Sequence, residues 1–217
     1  MFEAIIDIDT RLFMLFNSQL TNGFFDWFMP FITNAKTWVP LIFFVWLFFV
    51  IRGSRRTRII AFAALIATGS ADLFCARVLK KNIYRPRPCS VEETDTFRSR
   101  MLIRRRSSMS FPSNHAANTA AFASTVFWGA GYKFGLPLGF MAFMSGYSRV
   151  YCGVHYPFDV MTGWLIGAFI GWLTFRIFVW FKPELLESHQ QNCDQSMGEP
   201  ECEEHKSGVD EQTQQES

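Results

Sequence analysis

The chain has 217 residues, 49% hydrophobic and 17% aromatic, and its 21 basic and 19 acidic side chains leave a net charge of +2. That composition leaves two classes, one large soluble domain or a compact bundle of membrane helices. Five cysteines with no CxxC pair argue against a zinc or redox framework.

The distribution of apolar residues decides between the two classes. A helix that crosses a bilayer needs roughly 20 mostly apolar residues, and five stretches answer to that: 38–51 with its flanks, 59–79, 116–130, 134–150 and 160–181. The expectation is an all-α polytopic membrane helix bundle of about five transmembrane helices. The modest mean hydropathy of +0.10 reflects dilution by two long polar stretches, residues 80–112 and everything after Phe181. The charge is divided too. Residues 183–217 hold ten acids and one base, Lys206, so the body carries about +11 and the tail about −9. The body is suited to anions, and the tail reads as disordered.

In chain order, the start has no basic leader and no small-residue cleavage site, so it does not read as a signal peptide. Ile5, Ile8, Leu12 and Phe16 recur at helical spacing with Asp7, Asp9 and Arg11 opposite, which predicts an amphipathic interfacial helix on the membrane surface. Residues 24–33 are apolar but few, and Asp26 and Pro30 interrupt them; a short interfacial or re-entrant helix follows. Residues 1–35 are thus assigned to the interface, 36–182 to a transmembrane domain and 183–217 to an acidic tail.

The stretch 38–51 ends in Arg52, Arg55, Arg56 and Arg58, which the positive-inside rule places in the cytoplasm. The next span then emerges outside with the loop 80–112, and the remaining spans bring residues 148–159 back to that face before the tail ends in the cytoplasm. Lys80, Arg87, Ser113, His115, Arg149, His155 and Asp159 all arrive on one side. The loop itself is rich in arginine, and attraction to anionic headgroups or phosphates is the simplest reason for that. Cys89 and Cys152 fall beside the same face, where an oxidising compartment would allow a disulfide. Gly163, Gly167 and Gly171, four apart, form a ridge for close helix packing. The small residues Ala116, Ala117, Ala120, Ala121, Ala123 and Ser124 are assigned with them to the bundle interior.

Three short stretches carry the chemistry. In KKNIYRPRP, Lys80 ends a membrane helix and Arg87 lies among the chain-breaking Pro86 and Pro88; a snorkelling lysine is the plain alternative. In FPSNHA, Ser113 is placed to cap a helix and His115 sits in its first turn, where backbone donors and the helix dipole favour an anion. In SRVYCGVHYPFD, His155 and Asp159 stand four apart, so a carboxylate can hold one ring nitrogen and leave the other for attack or proton transfer. Arg149 offers a planar donor fork to phosphoryl oxygens. Asp72, eight residues before Lys80, either positions that lysine or only lies near the interface. Two histidines, an orienting acid and three cations describe covalent phosphoryl transfer better than acyl transfer, because no serine has a base and carboxylate at comparable spacing.

Together the spacings K-x6-RP, PSNH and SR-x5-H-x3-D resemble the three signature motifs of the type 2 phosphatidic acid phosphatase superfamily, which also includes bacterial acid phosphatases and vanadium haloperoxidases. One position departs: the family's PSGH is PSNH here, so Asn114 keeps the backbone amide but adds bulk. The resemblance implies that His155 is the nucleophile of a phosphohistidine intermediate and that Asp159 orients it. It implies that His115 is the acid and then the base, and that Lys80, Arg87, Ser113, Asn114 and Arg149 bind the phosphoryl oxygens. Basic side chains would take the place of a metal ion, and no cofactor is implied.

The resulting expectation is a lipid phosphatase of the bacterial inner membrane, with a periplasmic site and a phospholipid or glycolipid substrate. Lipid A phosphate, undecaprenyl diphosphate and phosphatidylglycerol phosphate are the substrates considered. Neither nucleic acid nor an obligatory protein partner is expected. A channel or transporter would need polar residues continuing through the bundle, which the Ala, Gly and Phe of the last helices do not provide. A non-catalytic scaffold would not need the intact constellation, and the haloperoxidases are soluble.

Overall fold

The computed structural model describes residues 2–94, 97–105 and 107–181; the acidic tail, with Cys193 and Cys202, lies outside the described residues. Among the described residues seven long helices make up the fold, with one short 3-10 turn at Pro88–Ser90. Helix α1 (Phe2–Met14) runs on through a wider π-type turn at Leu15–Gln19. Helix α2 (Gly23–Thr33) starts at Asn22, whose side chain accepts from the Phe25 amide and so satisfies one of the helix's open donors. Helix α3 (Ala35–Arg52) follows, then α4 (Arg55–Asn82), which begins at the capping hydroxyl of Ser54. After the connection 83–113 come α5 (Asn114–Ala130), α6 (Tyr132–Tyr151) and α7 (Pro157–Phe181). Among the described residues the one β-type contact is an isolated bridge between Thr94 and Phe97.

The all-α class is as expected, and the spans are more selective than the apolar runs suggest. Helices α4 and α7, of 28 and 25 residues, are each long and apolar enough to cross a bilayer, and α2 with α3 qualifies as a pair bent by 52°. Helices α5 and α6 do not qualify alone. Helix α5 has 17 residues, and α6 dilutes its apolar residues with glycine, serine, Lys133 and Arg149. For α5 the physical reason is its place in the bundle: it packs on α4, α6 and α7, and a helix covered by other helices need not present a lipid-facing surface.

The seams around α5 are made of small residues. Ala67 and Ala71 of α4 are buried with Ala117 and Ala121 of α5. Across the other seam, a β-carbon on Gly163 would lie 2.6 Å from the Ser113 carbonyl oxygen, and one on Gly167 or Gly171 would run into the carbonyls of Ala117 and Ala121. Close backbone approach of this kind replaces the missing hydrophobic drive between helices in lipid. Ser124 and Thr125 add hydrogen bonds to the Ala168 and Gly171 carbonyls. Large apolar side chains such as Phe43, Phe44, Leu65, Leu165 and Phe169 stay exposed on the outer faces, as a lipid-facing band does. The first turn of α7 is thereby pressed against the start of α5.

Three expectations are corrected. Asp9 does not sit on a wet face of α1; it is 1% exposed because it is bonded into the bundle. Cys89 and Cys152 are buried free thiols, as is Cys75. Several loop arginines are tied internally rather than left for headgroups: Arg100 forks onto the Asp26 carboxylate at 2.8 and 2.7 Å, and Arg105 donates to the Cys89 carbonyl.

Candidate active site

The turn between α6 and α7 sets the geometry. Gly153 has φ +79°, and a β-carbon there would meet the Arg100 carbonyl oxygen at 2.5 Å, so only glycine fits. The Val154 and His155 amides both donate to the Arg149 carbonyl, at 3.1 and 3.3 Å. The tightened turn buries the His155 ring, which is 2% exposed.

The two ring nitrogens of His155 meet different partners. Nε2 lies 2.9 Å from Arg87 Nη1; a guanidinium only donates, so Nε2 accepts and the ring proton sits on Nδ1. Nδ1 faces Asp159 Oδ2 at 3.7 Å and Ser110 Oγ at 3.5 Å. At that distance the carboxylate lies beyond hydrogen-bond reach of the ring, and catalytic contacts of this type often tighten only with substrate bound.

Asp159 is fully buried and held from several sides. Oδ1 accepts from Arg85 Nη1 at 2.7 Å. Oδ2 accepts from Ser110 Oγ at 2.5 Å and from the Tyr156 amide at 3.0 Å. Arg85 reaches onward: its Nη2 donates to Asp9 Oδ2 at 2.5 Å, and Asp9 Oδ1 accepts from the Phe158 amide at 2.9 Å. The guanidinium also stacks 4.1 Å over the Tyr156 ring. Helix α1 is therefore joined to the acid beside His155 through one arginine.

The cations and donors of the three motifs converge on this turn from different elements. Arg87, 4% exposed, donates to the Val154 carbonyl at 2.9 Å and holds Ser108 through its carbonyl and hydroxyl at 2.7 and 3.0 Å. Arg149, in the last turn of α6, donates to Thr33 Oγ1 at 2.7 Å. Lys80, near the end of α4, is half-buried and feels the charges of Arg87, Asp159 and Arg149. Ser113 takes the N-cap position of α5, and its amide donates to the Asp159 carbonyl at 3.0 Å. Its hydroxyl does not cap the helix as expected; it is buried without a hydrogen-bond partner among the described residues. His115 is half-buried in the first turn of α5. Asp72, read from the sequence as a partner for Lys80 or an interface residue, instead accepts from the side-chain amides of Asn114 and Asn118 at 2.8 and 3.0 Å.

Burial pushes the His155 imidazole down to about 3, with Arg87 and Arg149 adding to the effect and Asp159 opposing it. The ring is thus neutral at neutral pH, with a lone pair on Nε2. Burial also pushes the Cys152 thiol and the Tyr156 phenol up to about 12, so both remain neutral beside the site. A neutral imidazole, an orienting carboxylate and buried guanidiniums form a nucleophile next to donors for an anion. Among the described residues no group of three or more His, Cys, Asp or Glu side chains is placed to hold a metal ion.

The motif reading missed Arg85, Ser110, Ser108 and Asp9. Arg85 carried a faint signal, since it stands two residues from Arg87 in an extended segment, where alternate side chains share a side. Ser110 and Asp9 carried none, because their roles rest on contacts 49 and 76 residues away.

Residues 58–183 match the PAP2 superfamily. A lipid A 4'-phosphatase of Bacteroides thetaiotaomicron is 32% identical over 183 residues, covering 82% of this chain and 80% of that protein. The undecaprenyl-diphosphatase BcrC of Bacillus subtilis is 29% identical and covers 75% of this chain and 79% of its own length. The crystal structure of Aquifex aeolicus LpxE superposes with a TM-score of 0.61 at 26% identity, covering 76% of this chain and 93% of that one. A transmembrane PAP2-type phosphatidylglycerolphosphate phosphatase from Bacillus subtilis gives 0.60 at 25% identity, with 83% and 87% covered.

Proposed function

The chain belongs to the PAP2 superfamily and is a membrane lipid phosphatase, and on that premise we propose that His155 is its nucleophile. His155 Nε2 attacks the phosphorus, the ester P–O bond breaks and a phosphohistidine forms. His115 gives its proton to the leaving oxygen, then takes one from the water that cleaves the N–P bond. Asp159 holds the Nδ1 proton and balances the charge that grows on the ring. Arg87, Arg149, Lys80, the Ser113 hydroxyl and the Asn114 amide hold the phosphoryl oxygens, where charge concentrates in the transition state. The observation that carries this reading is the contact of Arg87 with Nε2: it leaves that nitrogen as an acceptor and sets a guanidinium where the attacked phosphate must bind.

The substrate is proposed to be a lipid A phosphate, supported by the relative that matches at 32% identity over most of both chains. Undecaprenyl diphosphate is the second reading, supported by the relatives from Bacillus subtilis and Sulfolobus acidocaldarius. The enzyme is placed in a bacterial inner membrane with the site facing the periplasm, supported by Arg52, Arg55, Arg56 and Arg58 at the opposite ends of α3 and α4. The domain reading keeps residues 36–182 as the catalytic bundle, with 1–35 at the interface. Phosphate release from lipid A, undecaprenyl diphosphate and phosphatidylglycerol phosphate tests the reading. Wild type is expected to release phosphate from at least one, and His155→Ala to lose at least about 10³-fold in rate. Full activity in His155→Ala, or no release from any lipid, overturns it.

A further inference from the structure

Beside the phosphate-binding residues, and sharing Asn114 with them, lies a polar cluster whose other members, Asp72 and Asn118, hydrolysis itself does not use. Asp72 is a charged residue within a membrane-spanning helix, α4, and ionisable groups at such positions are costly enough to mark function. Both partner amides, from Asn114 and Asn118, converge on its Oδ1 at 2.8 and 3.0 Å; among the described residues Oδ2 takes no hydrogen bond. Four buried side-chain oxygens lack a partner among the described residues, and three of them are Ser113 Oγ, Asn114 Oδ1 and Asn118 Oδ1. Such atoms are rare in folded proteins and call for a ligand or a water. Here they fall within six residues of one helix, continuing from the Ser113 hydroxyl.

We propose that Asp72, Asn114 and Asn118 form a subsite for the part of the lipid headgroup that adjoins the scissile phosphate, and that it selects a hydroxyl- or amide-bearing sugar over a polyprenyl diphosphate. The proposal rests on the reading of the chain as a lipid phosphatase. Depth supports it. Asn118 lies about 6 Å along α5 beyond Asn114, at roughly 1.5 Å of rise per residue, and Asp72 stands eight residues before Lys80 along α4, across the π-type segment Phe74–Leu79. A lipid whose phosphate sits at the site and whose chains lie in the bilayer places its next group at that depth. The chemistry of the cluster then decides between substrates. Its unused atoms are amide and carboxylate oxygens, which only accept, so they pair with the O–H and N–H groups of an amino sugar. A second phosphate would bring more acceptors and negative charge against Asp72, and a hydrocarbon chain would leave the oxygens without partners.

The test compares purified full-length wild type, Asp72→Ala and Asn118→Leu on lipid A and on undecaprenyl diphosphate, reading kcat/KM for each. The ratio of the two is expected to fall about tenfold or more in both variants, the order of effect that the net loss of one hydrogen bond to the substrate gives. The cluster would also bridge α4 and α5 as an interhelical glue; if that were its whole role, both activities would fall in parallel and the ratio would hold, which overturns the subsite. The near-isosteric Asn118→Leu keeps the volume of the seam, so its ratio still decides the matter if Asp72→Ala misfolds. A ratio unchanged in an active Asn118→Leu overturns the proposal. Wild type inactive on both lipids instead overturns the phosphatase reading beneath it.

Discussion

Asp159 shows how much of a catalytic side chain's value lies in what immobilises it. Its carboxylate takes bonds from Arg85, Ser110 and the Tyr156 amide, and Arg85 is itself fixed by Asp9. A buried network of this kind is strong when complete and costly when one member is removed. Asp9 and Arg85 are positioning residues: they touch neither ring nitrogen of His155 and act through Asp159. Asp9→Asn and Arg85→Gln are therefore expected to lower kcat by about 10–100-fold with KM nearly unchanged, since an interaction that matters mainly in the transition state moves kcat, and Arg85→Lys is expected to recover part of the loss. Steady-state kinetics on the lipid substrate checks this. A rise in KM at constant kcat would instead make Arg85 a direct phosphate ligand.

At the scale of elements, the site depends on the seam between α5 and α7. His115 and Ser113 ride on one helix, Asp159 on the other, and the distance between them is set by glycines whose replacement would strike backbone. Gly167→Val is expected to lower thermal stability by about 1–3 kcal/mol through overpacking, and to reduce activity by moving the start of α7 off α5. Gly139→Ala is the control, because a β-carbon there meets nothing within 4 Å. Thermal unfolding of the two variants in detergent reads the difference, and equal melting temperatures would show the seam to be slack. This packing was partly legible in advance, since a glycine every four residues is a pattern of its own. That α5 would be covered by neighbours while Phe134, Leu136 and Phe140 of α6 stay exposed was not legible, because apolar content alone does not distinguish a helix facing lipid from one facing other helices.

At the scale of the whole molecule, burying a neutral histidine links stability to pH. Burial holds the folded His155 imidazole down at about 3, below its ordinary value of 6.5. Between those values the unfolded chain binds more protons than the folded one, so stability rises with pH there. The contribution is fully present above about 6.5 and is lost as pH falls toward 3. Wild type is expected to lose melting temperature more steeply than His155→Gln as pH is lowered from 7 to 4, and parallel curves would refute this. The amino-acid sequence by itself determined the helical class, the four-residue spacing of His155 and Asp159, and the three motifs, because helical periodicity and short spacings are local. Tertiary structure alone decided that Asp9 turns inward, that Arg85 joins it to Asp159 across 76 and 74 residues, and that Asp72 serves Asn114 and Asn118 rather than Lys80. Local pattern specifies a face of a helix, and only the packed chain supplies the partner that the face meets.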